Sequence, residues 1–80
     1  MKRTERNKII RWAKRLTDKE LEDACYDLYM DCSESIVWKM RELDYDIRDI
    51  EERAAYENFM CQKFDLVCRL CEERGIKLWA

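Results

Sequence analysis

Histidine and proline are absent from these 80 residues, and glycine occurs once. Without histidine the chain lacks the commonest general base, the commonest nitrogen ligand for zinc and the usual pH switch, so most catalytic schemes have no starting point. No catalytic residue and no cofactor is therefore assigned. A sheet protein of this length would need several turn residues, and with one glycine and no proline all-β and α/β folds are excluded. Long apolar runs are missing too. Ile9-Ile10 is the only apolar step between Arg6-Asn7-Lys8 and Arg11, too short for the core of a secretory signal. Nothing approaches the roughly 18 residues that span a bilayer. An odd number of cysteines, five, without such a signal argues for a reducing compartment, hence a cytoplasmic protein.

What is present is charge and apolar surface in nearly equal measure: 42% charged and 48% hydrophobic residues. That mixture suits long amphipathic helices and supplies enough apolar area for a core. The net charge of −2 conceals a strong asymmetry. Residues 1–16 carry seven Lys and Arg against Glu5 alone, a net of +6, while residues 17–80 carry 9 basic and 17 acidic residues, a net of −8. Residues 1–80 form one domain, a basic amphipathic arm (1–16) joined to an acidic body (17–80).

Local signals predict three helices. The first runs from about Thr4, a candidate N-cap, to Arg15, with Ile9, Trp12, Ala13 and Leu16 on one side and Lys8, Arg11, Lys14 and Arg15 on the other. Thr17-Asp18-Lys19-Glu20 is a capping box, flanked by Leu16 and Leu21 as its hydrophobic staple. The second helix then continues to about Leu43, placing Leu21, Cys25, Leu28, Cys32, Ile36, Met40 and Leu43 on one stripe. Its weak point is Asp31-Cys32-Ser33-Glu34-Ser35, where short polar side chains compete for the backbone and a break is the alternative to a continuous helix. Asp46 caps the third helix, whose seam of Ile47, Ile50, Ala54, Cys61, Phe64, Cys68 and Cys71 is interrupted only by Glu57. Gly75 sits at the C′ position of a Schellman motif, and Ile76, Leu78 and Trp79 form an apolar tail that folds back. The expected fold is all-α: a short N-terminal helix plus a long antiparallel helical hairpin, with helices of about 39 and 42 Å at 1.5 Å per residue. The short arm covers less than half of such a hairpin. Exposed Tyr26, Trp38, Phe59, Met60 and Val67 would then leave a patch that homodimerisation into a helical bundle buries.

Three residue sets bear on chemistry. Cys25 and Cys32 are two helical turns apart, as are Cys61 and Cys68, and Cys68-Arg69-Leu70-Cys71 is a CxxC. A hairpin centred near Tyr45 places Cys25 within about one turn of Cys61 and Cys68. Packing as small hydrophobes is the expected role, with a zinc site built from Cys25, Cys61, Cys68 and Cys71, or a disulfide, as the alternatives. Metal ligands are accordingly not assigned. Acid pairs such as Glu20–Asp23 have spacings that 17 acids produce by chance, so a solvated acidic face is expected, and Asp49, Glu52 and Glu57 mark one side of the third helix as a surface for a basic protein partner. Lys8, Arg11, Trp12, Lys14 and Arg15 are the residues that would follow a phosphate backbone. The competing expectation is that the arm docks its apolar side on the hairpin and turns its charge to the acidic body.

The motifs Leu16-Thr17-Asp18-Lys19-Glu20-Leu21, Tyr45-Asp46-Ile47-Arg48-Asp49-Ile50 and Glu73-Arg74-Gly75-Ile76-Lys77-Leu78-Trp79 give residues 16–79 a likeness to small helical proteins of bacterial phages and mobile elements. That resemblance implies a binder that blocks a host defence system, as anti-CRISPR proteins do, and it carries over no site residue. The expected function is thus a non-enzymatic protein-binding module, with nucleic-acid binding through the arm as the alternative.

Overall fold

The computed structural model describes residues 1–78 of the chain. Among them the fold is all-helical, with α1 at Arg3–Lys14, α2 at Asp18–Ser33, α3 at Val37–Glu42 and α4 at Ile47–Glu73. None of these helices is long and apolar enough to cross a membrane.

Side-chain and backbone caps decide where the helices start and stop. The Thr17 hydroxyl accepts the Glu20 N–H at 3.2 Å, and the Glu20 carboxylate accepts the Thr17 N–H at 3.0 Å, which closes the expected box. Asp46 accepts the Arg48 N–H at 2.8 Å and opens α4. At the other end of α4, Gly75 takes a left-handed φ of 76°, with Gly75 N–H bonded to Glu72 O and Ile76 N–H to Cys71 O. That is the Schellman pattern. The same pair of bonds ends α3, from Asp44 N–H to Arg41 O and Tyr45 N–H to Met40 O, with Asp44 at φ 54° in the place glycine usually fills. Thr4 does not cap α1. The N-cap is Lys2, which makes no side-chain cap bond.

The continuous second helix is corrected by the structure. It ends at Ser33, Glu34 is extended at φ −100° and ψ 99°, and the helix restarts as the six-residue α3. The Ser33 hydroxyl turns back onto the Met30 carbonyl at 3.1 Å, the local competition for the backbone that its sequence predicts. Glu57 of α4 completes the break, accepting the Ile36 N–H at 2.8 Å and the Ser35 hydroxyl at 3.0 Å.

α4 is the spine: 27 residues rise about 40 Å, close to the 44 Å long axis of the molecule. α2 runs against it in the opposite sense, because Cys25 faces Cys68 while Cys32 is joined to Cys61. α1 runs parallel to it, starting beside Asn58 and Phe59 and ending under Arg74. Where these three helices meet, Ala13, Leu21, Cys25, Leu28, Val67 and Cys71 form the buried cluster. Leu21 and Val67 are fully enclosed, each worth about 1.5–3 kcal/mol. Ala13, with the smallest side chain, lets α1 approach closely. Ile76 and Leu78 fold back onto the cluster; Trp79 lies outside the described residues. No residue of α3 is buried. The core therefore occupies one end of the molecule.

Two expectations about that core change. Val67, read as exposed, is fully buried, and Tyr26, Phe59 and Met60 are half-buried, whereas Ile47 and Ala54, read as seam, face solvent. The face that α4 buries is thus rotated toward Val67 from the expected seam. Cys32 and Cys61 are also not packing thiols; they form a disulfide across α2 and α4, with Cα atoms 5.2 Å apart.

Candidate functional site

Three surfaces combine exposure with chemistry: a basic cleft on α1, an acidic flank on α4 and an apolar end around α3.

On α1 the helical repeat places Lys8, Arg11, Trp12 and Arg15 around one shallow cleft. Lys63 comes in from α4 and lies over the indole of Trp12, its Nζ 4.9 Å from the ring centroid. A cation held on a π face in this way keeps its charge available at the rim. Trp12 itself is 41% exposed, so it stands at the edge of the apolar side rather than within it. Lys14 is exposed outside this group. The Arg11 guanidinium donates to the Asn7 carbonyl at 3.4 Å. Among the described residues the ion pairs are Lys19–Asp23, Arg53–Glu57 and Arg74–Asp18. None involves α1, although Arg6 and Asp65 line one cleft between α1 and α4. The arm docks by its apolar side, with Ile9 and Ala13 buried, and Arg74 of the chain end beyond α4 holds its last carbonyls. Lys63 has no counterpart in the sequence reading, because its place beside Trp12 depends on the parallel packing of α1 on α4.

Of the three acids expected on α4, Asp49 and Glu52 are exposed. Glu57 is engaged by the chain itself. Beyond Ile36 and Ser35, it pairs with Arg53 at 3.3 Å, and its side chain is only 16% exposed. Burial pushes its carboxyl up, but the bonds from Ile36, Ser35 and Arg53 outweigh that and hold it below the usual carboxylate value. Its interruption of an otherwise apolar seam was the signal in the sequence for this inward role. Arg53 also lies over the Tyr56 ring at 4.9 Å.

Of the apolar end, sequence singled out Trp38, as part of the expected dimer patch. Ile36, Trp38, Leu43, Tyr45 and Ile47 are between 41% and 73% exposed, and Ile36, Lys39, Met40, Leu43 and Tyr45 line one groove there. Trp38 is held in place by its indole N–H, which donates to the Ser35 carbonyl at 3.0 Å. The break in α2 makes this patch: a straight helix would have carried the stripe of Ile36, Met40 and Leu43 onto α4.

Among the described residues no group of three or more His, Cys, Asp or Glu side chains is arranged to hold a metal ion. The three remaining thiols, Cys25, Cys68 and Cys71, lie at the packed end. Comparison with known proteins gives no match: no family model, no curated protein and no solved structure is similar to this chain.

Proposed function

We propose that this chain is a non-enzymatic protein-binding module that works as a homodimer and presents the acidic flank of α4 to a basic partner surface. The observation that carries the reading is the uncovered apolar end. Five large side chains are exposed around a helix with no buried residue, and two of them, Trp38 and Tyr45, are of the types that anchor interfaces. The area supports the same reading. The chain exposes 6200 Å², against about 5,200 Å² typical for its mass. The excess, about 1,000 Å², is of the same order as the roughly 800 Å² that each partner contributes to a standard interface. A second copy is the occupant proposed for the apolar end, which leaves Asp49 and Glu52 outside the dimer contact.

In the narrowest form of the proposal the partner belongs to a host defence system and the protein is a phage or mobile-element inhibitor. Asp49 and Glu52 would then occupy a groove built for phosphates, and charge complementarity would speed the encounter. A cytoplasmic site of action belongs to this reading, and the Cys32–Cys61 bond weighs against it, since such bonds persist mainly in oxidising compartments. Trapping the thiols in cells with an alkylating reagent decides the point: a reduced pair keeps the cytoplasmic placement, an oxidised pair removes it. Light scattering at tens of micromolar tests the dimer. Twice the chain mass is expected, and a monomer overturns the proposal.

A second reading, nucleic-acid binding through α1, is favoured by one observation: Lys8, Arg11, Lys14 and Arg15 have no ion pair among the described residues, and Lys63 adds a further cation beside Trp12. A gel shift with random DNA and RNA at physiological salt separates the two readings. Replacing Lys8, Arg11, Lys14 and Arg15 by Gln is expected to leave partner binding nearly intact. Tight nucleic-acid binding that disappears in this variant, and falls steeply with salt, would establish the second reading instead.

A further inference from the structure

Seven residues along α2 from Cys32 and seven along α4 from Cys61, the antiparallel register brings a second pair of cysteines face to face. Cys25 Sγ and Cys68 Sγ are 3.2 Å apart. The disulfide at Cys32–Cys61 and this contact therefore occupy equivalent positions, two helical turns apart on both helices. We propose that Cys25 and Cys68 are a second oxidation site, which low-molecular-weight disulfides convert into a cross-link parallel to the first and which leaves Cys71 as the single free thiol.

The accessibilities set the order of events. Cys25 is fully buried, whereas Cys68 is half-buried and is the point of entry. The Cys68 thiolate attacks one sulfur of oxidised glutathione, forming a mixed disulfide and releasing one glutathione. The Cys25 thiolate then attacks the Cys68 sulfur and expels the second. Two thiol protons leave the protein and end on the two glutathiones; the protein loses two electrons and glutathione disulfide gains them. Burial pushes both thiols above the ordinary cysteine value, so the thiolate fraction is small at neutral pH and the rate rises with pH. Cys71, one turn beyond Cys68, is buried as well, and its sulfur lies 4.0 Å from the Leu21 carbonyl. It is placed to compete for Cys25, and the experiment must distinguish the two.

Folded protein with the Cys32–Cys61 bond intact is incubated with oxidised glutathione at pH 7 and pH 9, then denatured and alkylated. Free thiols are expected to fall from three to one, about tenfold or more faster at the higher pH. Cleavage before Asp27, Asp31 and Asp65 and after Arg69 puts Cys25, Cys68 and Cys71 on separate peptides, each apart from Cys32 and Cys61, and peptide mapping should then find Cys25 joined to Cys68. Cys71→Ser should form the same cross-link. Three thiols persisting at pH 9, a stable glutathione adduct on Cys68 in the parent protein, or a bond from Cys71 to either partner would each overturn the proposal. Cys25→Ser should instead accumulate that adduct at Cys68. Its absence in a folded variant also counts against the proposed entry point.

Discussion

At the scale of single residues, Glu57 carries the most. Its two carboxylate oxygens hold the Glu34–Ile36 break open by accepting from Ile36 N and Ser35 Oγ, and they anchor Arg53. Charge-assisted bonds of this kind exceed neutral ones, and Glu57→Ala is expected to cost about 1–2 kcal/mol at neutral pH, read from urea unfolding. The effect has a pH signature. The folded state holds this carboxyl below its ordinary value of 4.5, so the native state favours the ionised form. The stabilisation is fully present above that ordinary value and is lost as pH falls from it through the folded-state value. Glu57→Gln should therefore lose less stability than the parent between pH 7 and pH 3. Equal losses in the two proteins would show that the carboxylate contributes nothing at this position. Glu20, held low by its bonds with Thr17, is unchanged in both and provides the internal reference.

Among the elements, α1 depends on a single arginine from the far end of α4. Arg74 donates to the carbonyls of Leu16 at 2.7 Å, Lys14 at 3.1 Å and Ala13 at 3.4 Å, and to the Asp18 carboxylate at 3.2 Å. The last carbonyls of a helix have no partners within it, and a cation there also opposes the negative end of the helix dipole. One side chain thus caps α1, joins it to the start of α2 and fixes the C-terminal end of α4 beneath both. Arg74→Ala should cost about 1.5–3 kcal/mol and loosen α1 before the rest of the molecule. Hydrogen exchange is the readout: faster exchange is expected at Ile9–Ala13, with the amides around Val67 much less affected. Uniform acceleration throughout would show that α1 is not a separately docked element. Arg74→Lys should recover only part of the loss, because an ammonium lacks the fork that spans several carbonyls.

On the scale of the whole molecule, elongation and an end-loaded core go together. The radius of gyration is 14.7 Å, against about 12 Å for a compact chain of this length. α4 extends well past the three-helix core, and the part beyond it is flanked by α3, the start of α1 and the Cys32–Cys61 bond. If a second copy covers this end, charges placed in the patch must break the pair. Trp38→Glu with Ile47→Glu is expected to yield a folded monomer by light scattering, with little change in helix content, because neither side chain is buried. An unchanged dimer would place the contact elsewhere on the surface. The same substitutions leave the α1 cleft untouched, so nucleic-acid binding, if present, should survive them.

Capping was legible in the sequence because it is local. Thr17–Glu20, Asp46 and Gly75 each act within one helical turn, and each is found as the motif requires. The all-helical class followed from composition for a similar reason, since turns and strands need residues that this chain lacks. The break at Ser33 was visible as a weakness, but its outcome turned on Glu57, more than twenty residues away. Of the pairings that cross between helices, the approach of Cys25 to Cys68 was legible, from the register of a hairpin turning near Tyr45. Cys32 with Cys61, Lys63 with Trp12 and Arg74 with the end of α1 were not, because they depend on how far each helix is rotated about its axis. Periodicity defines an apolar stripe about 100° wide, and a rotation smaller than that width moves Val67 into the core and Ile47 out of it. Local hydrogen bonding therefore set the helix ends at Thr17, Asp46 and Gly75 from sequence alone, while tertiary packing, which fixes how each helix is rotated about its axis, decided the break after Ser33 and most of the meetings between charged and sulfur-bearing side chains.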